Sequence, residues 1–528
     1  LLASARELAP LYIRSWVGGD KDGHPGVDEK VFAESLLKSR KLLLAFTQSR
    51  LRLVRRDLER VSAKKLILSM QKLETELKKF QTLSDGEGRK FATFRKIATK
   101  FAEDYKKEIG VLHPNLNELK TLLHIFPALV VPLEFREASD MLLSDPSGKS
   151  LAIVKMLKKL AQISKGGDPR WYVRGFIVSM TNEVEHLEAA ARFVRMTLKS
   201  MQLPVIPLFE QASALQKSSE ILTGMLESPE IGKAIRNEWA NRVELMLGYS
   251  DSSKESGVLR SRLQVDEAMS RLDRLCEKNG ITPIFFQGSG GSTDRGGGSI
   301  EEQTAWWPSG ALRNYKVTVQ GEMIERSLAS PEITRGQIEK IVQSAGNWKD
   351  VKQREKFSPP VLRVFADRVA ELYQATVHDP KFLDVIGQAT PYRFLDLLKI
   401  GSRPTKRSTS ISVEGLRAIP WILCWTQTRT LFPTWWGVGL AWEKASADER
   451  EELKSAIEKS PVFKGYVRAL GYTLAKVRLR IWRLYLEESG LEKDHQDQVF
   501  KNFCREYDLA SEFAKTLLGP GNSLIAWR

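Results

Sequence analysis

Apolar residues recur at spacings of three and four along most of the chain, which predicts amphipathic helices with solvated polar faces. The clearest runs are VFAESLLKSRKLLLAFTQSRLRLVRRDLERV (31–61), PPVLRVFADRVAELYQA (359–375) and DVIGQATPYRFLDLLKI (384–400), and most boundaries carry Gly, Pro or Ser. Between the helices lie short continuous apolar runs: ALVVPLEF (128–135), PVIPLFE (204–210), VELMLGY (243–249) and TPIFFQG (282–288). Their length and their Val, Ile and Phe content predict buried strands. A polar residue stands at or just past each run: Arg136, Glu210, Asp251 and Gln287. Where strands are parallel and helices cover them, the carboxyl ends of the strands build the site, so this placement points to chemistry there. A closed barrel and an open parallel sheet share the pattern. No internal repeat is visible.

Composition fits a globular chain: of 528 residues, 42% are apolar, 28% charged and 9% aromatic. The formal charge of +16 raises the question of nucleic acid. Its densest stretches, 49–65 and 475–488, interleave acids and apolar residues at helical spacing, so they read as solvated helix faces and no nucleic-acid partner is expected. No apolar run approaches the roughly 18 residues that span a bilayer, and Phe126 to Leu133 is interrupted by two prolines, so no membrane partner is expected. The amino end lacks the pattern of a secretory signal. Cys276, Cys424 and Cys504 are isolated, which predicts neither a zinc site nor a disulfide and fits a cytoplasmic setting.

The segment PIFFQGSGGSTDRGGGS (283–299) is dense in glycine, which lets backbone amides approach an anion, and Arg295 within it supplies charge. Alone it reads better as a flexible linker. It follows, in order, SWVGGDKDGHPGV (15–27), LEFREAS (133–139), VIPLFE (205–210) and GYSDSSKESG (248–257), and precedes VTVQGEMI (317–324), IGSRPTKR (400–407) and LRAIPWILCWTQTR (416–429). This succession resembles that of the phosphoenolpyruvate carboxylases, from about Ser15 to about Lys476, with GYSDSSKESG and LRAIPWILCWTQTR its most specific parts.

The resemblance implies an α/β fold: a helix-rich (β/α)8 TIM-type barrel with many additional helices. The expected division is a helical part over 1–125, the barrel with its glycine-rich loop over 126–442 and a helical region over 443–528, forming one integrated domain. It implies an enzyme that joins phosphoenolpyruvate and bicarbonate, with Mg²⁺ or Mn²⁺, to give oxaloacetate and phosphate. Glu210 and Asp251 fall on the family's metal carboxylates, and two acids suit a hard cation. Arg136, Arg295, Arg403 and Arg417 fall on arginines the family sets around phosphate and carboxyl groups. Lys254 is a further candidate of that kind. Homo-oligomers, dimer or tetramer, are implied as well.

Two departures lie inside the matched motifs. Family members read FHGRGG where this chain reads FQGSGG, so Gln287 replaces a catalytic histidine and Ser289 replaces a phosphate-binding arginine. A Gln amide cannot exchange a proton near neutral pH, and losing general acid–base help costs about 10²- to 10⁴-fold in rate. The family's other catalytic histidine, in a TAHPTE-type motif, is not among the six histidines here. Lys21 and His24 stand for the usual Arg and Asn. Lys476 matches a lysine of the family's inhibitory aspartate site, but the chain ends in LLGPGNSLIAWR without the Asn-Thr-Gly tail, which puts aspartate inhibition in question. These departures leave open a catalytically impaired relative that binds phosphoenolpyruvate or acts as a partner subunit.

Overall fold

The computed structural model describes residues 11–22, 24–288, 299–319, 321, 324–325, 328–346, 348–351, 358–397, 415 and 418–519. Ser289, Arg295, Arg403, Arg417 and the side chain of Asp251 lie outside them. The chain divides into two compact units, one of Leu1–Ser179, Glu183–Pro207 and Met225–Ala240, the other of Met180–Asn182, Leu208–Gly224 and Asn241–Arg528. The fold is a helix-rich α/β one, and among the described residues no helix is long and apolar enough to cross a membrane.

Six parallel strands follow one another in chain order: β1 Leu133–Ala138, β2 Val173–Ser179, β3 Val205–Phe209, β4 Arg242–Leu247, β5 Thr282–Gln287 and β6 Lys316–Val317. In the first unit β1 pairs with β2, and β2 with the Val205–Pro207 part of β3. In the second, Leu208 and Phe209 pair with β4, which pairs with β5, which pairs with β6. Parallel pairing of consecutive strands needs crossover connections, which the intervening helices supply.

Helix Glu29–Arg60 shows how the first unit's core forms. Asp28 caps it, accepting from Lys30 N and Val31 N at 2.9 Å each. Its buried stripe runs Phe32, Leu36, Arg40, Leu44, Thr47, Leu51, Val54, Leu58, one residue per turn. Arg40 interrupts an otherwise nearly apolar stripe. Its Nη1 and Nη2 donate to the two carboxylate oxygens of Glu87 at 3.0 and 2.7 Å, and Nη2 also donates to Ala128 O at 3.1 Å. Both side chains are fully buried, with Phe91 stacked at 4.8 Å from the guanidinium.

The second unit is built on aromatic packing. Trp425 lies 4.6 Å from Phe432 and 5.8 Å from Phe382, and Phe432 lies 5.7 Å from Phe503, ring centre to ring centre. Trp421, Cys424 and Trp425 are buried, so much of the LRAIPWILCWTQTR segment serves the core. At the edge of this core Glu506, on helix Lys493–Leu518, accepts from Gly439 N at 2.7 Å and Leu440 N at 2.9 Å at the start of helix Val438–Glu443. Burial pushes the Glu506 carboxyl up to about 7, against the pull of those backbone N–H groups.

Three elements differ from the sequence reading. The first apolar run is a strand only from Leu133; Ala128 to Pro132 form a buried turn in which Leu129 takes φ 50°, with prolines on both sides. The strands at Val173–Ser179 and Lys316–Val317 were not anticipated, because Arg174 and Gly175 break the first apolar run and the second has two residues. The helix read through 384–400 stops at Ala389, and a 3₁₀ segment Pro391–Leu397 follows, as Pro391 requires.

Two outcomes follow for stability. Arg40→Met or Glu87→Met alone strands a buried charge and is expected to cost about 3–5 kcal/mol in urea unfolding, whereas the double replacement recovers most of it. Glu506 has a raised folded-state pKa, so its stabilisation is full below the unfolded carboxyl range and is lost as pH rises through about 7. The wild type is therefore expected to lose stability relative to Glu506→Gln as pH rises from about 4.5 to about 7, with the difference levelling off above that. A constant difference would show that Glu506 does not titrate there.

Candidate active site

Of the described candidate residues, Arg136 lies in the first unit, and Glu210, Lys254 and Gln287 lie in the second at or just past the carboxyl ends of β3, β4 and β5. In the first unit Arg136 lies within β1, not after it. The stretch Ser15–Asp22 runs alongside: Ser15 bridges to Leu133 and Asp20 to Arg136. Lys21 N and Asp22 N donate to Arg136 O at 3.0 Å, and Arg136 N donates to Gly19 O at 3.1 Å. Glycine is required at 19, where a Cβ would stand 2.2 Å from Glu134 O.

This backbone pairing delivers Asp20 to Arg136. Nε and Nη2 of Arg136 donate to the two oxygens of Asp20, each at 2.7 Å, in a bidentate pair whose members are nearly buried. Asp22 lies 3.9 Å from the same guanidinium, Ser179 Oγ donates to Asp22, and the Trp16 ring stacks 4.6 Å from Arg136. Asp20, Asp22, Trp16 and Ser179 were not singled out from sequence. The signal was present in the SWVGGDKDG motif, but which acid would meet Arg136 depends on the register of a two-bridge pairing. His24, in the same motif, accepts from Gly26 N at 2.9 Å in a local turn.

In the second unit Phe209, Leu247, Gln287 and Val317 lie side by side across β3 to β6. Glu210 is the next residue along β3, and Met180 N donates to its Oε1 at 2.8 Å. Gly248 is the next along β4. A Cβ there would stand 2.7 Å from Glu210 Cβ and 2.8 Å from Glu210 Cα, so only glycine lets the β4 end pass. Helix Ser250–Lys278 begins directly after it and breaks at Gly257, which has φ 74° and ψ 165°. Asp251 is in its first turn. Ser252 Oγ, 2.6 Å from Ser261 Oγ and 3.1 Å from Gly248 O, ties the short first segment to the rest. Lys254 on that segment is buried, at 3% exposure. Burial raises the pKa of the neighbouring Tyr249 phenol and lowers that of the Arg262 guanidinium.

Gln287 ends β5 fully buried. Its Nε2 donates to Met269 Sδ of helix Ser250–Lys278 at 3.1 Å, and its Oε1 has no hydrogen-bond partner among the described residues. Its backbone oxygen accepts from Thr318 N at 2.9 Å and Thr318 Oγ1 at 3.0 Å. Lys476 ends helix Pro461–Lys476 with its Nζ 4.8 Å over the Tyr472 ring.

Among the described residues no cluster of three or more His, Cys, Asp or Glu could hold a metal ion. Of the two expected ligands, Glu210 is described: a part-exposed carboxylate, fixed through one oxygen by Met180 N–H, at a strand end. A hard divalent cation with several waters needs one or two such carboxylates, so the residue fits that group.

The sequence matches the family model "Phosphoenolpyruvate carboxylase" over residues 3–123 and 133–525. It is 28% identical over 452 residues to the phosphoenolpyruvate carboxylase of Thermosynechococcus vestitus, covering 79% of this chain and 44% of that protein. It is 31% identical over 432 residues to that of Parasynechococcus marenigrum, covering 78% and 41%. It is 30% identical over 431 residues to that of Prochlorococcus marinus, covering 78% and 42%. The chain thus spans less than half the length of these relatives. On the family match, which takes in both units and every strand, this chain belongs to the phosphoenolpyruvate carboxylase family.

Proposed function

We propose that this chain carboxylates phosphoenolpyruvate with bicarbonate, giving oxaloacetate and phosphate. The observation that carries the reading is the β3–β4 junction: Glu210 held by Met180 N–H, with Gly248 admitting the β4 end that leads to Asp251 and Lys254. Glu210 and Asp251 would hold Mg²⁺ or Mn²⁺, which when bound neutralises oxyanion charge in the reaction. The strand ends are read as part of a (β/α)8 barrel, in a cytoplasmic homo-oligomer.

Within that reading the anionic substrates meet fixed cations. Arg136 is aimed by its bidentate pair with Asp20, which holds the guanidinium plane without search over rotamers. Lys254 supplies a buried ammonium, where each charge acts more strongly than in water. Arg295, Arg403 and Arg417 are assigned to phosphate and carboxyl groups by their motifs. The phosphorus of phosphoenolpyruvate is attacked by bicarbonate oxygen; the P–O bond to the enol breaks, and carboxyphosphate and the enolate result. Carbon dioxide released from carboxyphosphate is then attacked by the enolate carbon. Gln287 enters as a hydrogen-bonding group and not as a proton carrier, since neither end of an amide titrates near neutral pH.

The test is a coupled assay of oxaloacetate formation from phosphoenolpyruvate, bicarbonate and Mg²⁺, with Glu210→Ala beside the wild type. Turnover that falls at least about 10²-fold in the variant is expected. Wild-type protein that binds phosphoenolpyruvate without turnover would overturn the reading. A second expectation concerns Gln287. Gln287→Met removes a buried amide oxygen that lacks a partner and keeps the length of the side chain, so thermal unfolding should stay within about 1 kcal/mol of the wild type or rise. Gln287→His with Ser289→Arg should raise turnover at least about tenfold by restoring a titrating group and a charge; no gain would show that these two positions do not limit the rate.

A further inference from the structure

On the second unit, helices Ala212–Glu227 and Ser250–Lys278 enclose a groove of about 420 Å³. Arg271, Arg274 and Lys278 line one side of it, and Ser219, Glu220 and Thr223 the other. The three cations stand at positions i, i+3 and i+7, so one face of the last two helical turns presents them together. Glu220 is the carboxylate among the lining residues.

The donors are partly fixed in place before any ligand arrives. Arg271 Nη2 donates to Leu215 O at 3.0 Å, which sets the plane of the guanidinium. Its nearest carboxylate oxygen, on Glu267, is 4.0 Å away, and the other oxygen of that carboxylate lies 2.9 Å from Arg363 Nε. The Arg271 charge is thus only partly compensated, and burial lowers its pKa, the signature of a cation short of counter-charge. Ser219 Oγ is buried and has no hydrogen-bond partner among the described residues. A buried hydroxyl without a partner costs free energy that a ligand oxygen would recover. Lys278 makes no ion pair among the described residues.

We infer that this groove is a binding site for a phosphate group, as the free ion or as a phosphate monoester. Guanidinium forks, an ammonium and a hydroxyl provide donors on several sides, which suits a tetrahedral dianion with three or four terminal oxygens better than a planar carboxylate. A volume in the low range of small-molecule sites leaves room for a substituent beyond the phosphorus. The inference stands apart from the carboxylase reading, because none of its residues is assigned to that reaction.

The experiment is a titration of the whole chain with inorganic phosphate, and separately with glycerol phosphate, at constant ionic strength. Hydrogen exchange is followed in the peptides that contain residues 215–223 and 271–278. Saturable protection of both peptides is expected. Lys278→Gln should weaken it about tenfold, and Ser219→Ala should weaken it less. Glu220→Gln should tighten it. Lys100→Gln, an equal change of charge on an exposed lysine of helix Glu87–Ile109, should leave it unchanged. Tighter binding of glycerol phosphate than of phosphate would assign the monoester; the reverse order would assign the free ion. No protection in these peptides, or the same loss with Lys100→Gln as with Lys278→Gln, would overturn the site. Protection here in a chain that makes no oxaloacetate would leave the groove standing and remove only the carboxylase reading.

Discussion

Close backbone approach beside the parallel strands is the constraint on which the candidate site depends. In the first unit the chain at Gly19 lies against Glu134 so tightly that a Cβ would stand 2.2 Å from its carbonyl oxygen. In the second, the chain at Gly248 lies so close to Glu210 that a Cβ would stand 2.7 Å from the Glu210 Cβ. Real Cβ contacts are never that short, so any side chain at either place must move backbone, the stiffest part of the structure. What the two approaches achieve is positional. One brings Asp20 onto Arg136, the other brings the start of helix Ser250–Lys278 to the end of β3. Both use a glycine where a longer loop would have placed the same groups with less accuracy.

The same logic governs the charges. Arg40 with Glu87 and Arg136 with Asp20 are both nearly buried bidentate pairs, yet they serve different ends. The first sits in the stripe of a helix and is closed off by Phe91 and the Ala128 carbonyl, so it fixes how helix Glu29–Arg60 meets the turn that leads into β1. A buried pair of this kind contributes little net stability compared with apolar residues, but a mispaired alternative is costly, which favours one arrangement over others. The second sits within β1, where the pairing of the Ser15–Asp22 stretch with the strand sets the guanidinium against Asp20, with Asp22 3.9 Å away and the Trp16 ring stacked on it.

Much of this was legible in the sequence, and the part that was not has physical causes. Period-3.6 apolar spacing located helices Glu29–Arg60 and Pro360–Val377 because burial on one face leaves a direct trace in composition. Strands β3, β4 and β5 were legible as apolar runs because parallel strands covered by helices are buried on both faces. β2 was not, since Arg174 and Gly175 occupy positions whose burial is decided by neighbours far away in sequence. The candidate residues came from motifs whose order the family match supports, but Asp20 as the partner of Arg136, and Met180 N–H as the group holding Glu210, depend on register and could not be read from spacing.

Gln287 shows where motif and environment part. A histidine at this place would enter a site that offers, among the described residues, the Met269 thioether on one side and no polar partner on the other. A thioether is a weak acceptor, and a buried imidazole with so little to hydrogen-bond would be driven toward its neutral form. Glutamine meets the same surroundings without a charge to disfavour: one end of its amide uses the sulfur and the other stays unsatisfied. The residual cost is that of one unpaired carbonyl oxygen, about 1–3 kcal/mol, which is smaller than that of a buried charge. The replacement is therefore coherent with the packing of helix Ser250–Lys278 against β5. The amide itself neither takes up nor releases a proton near neutral pH.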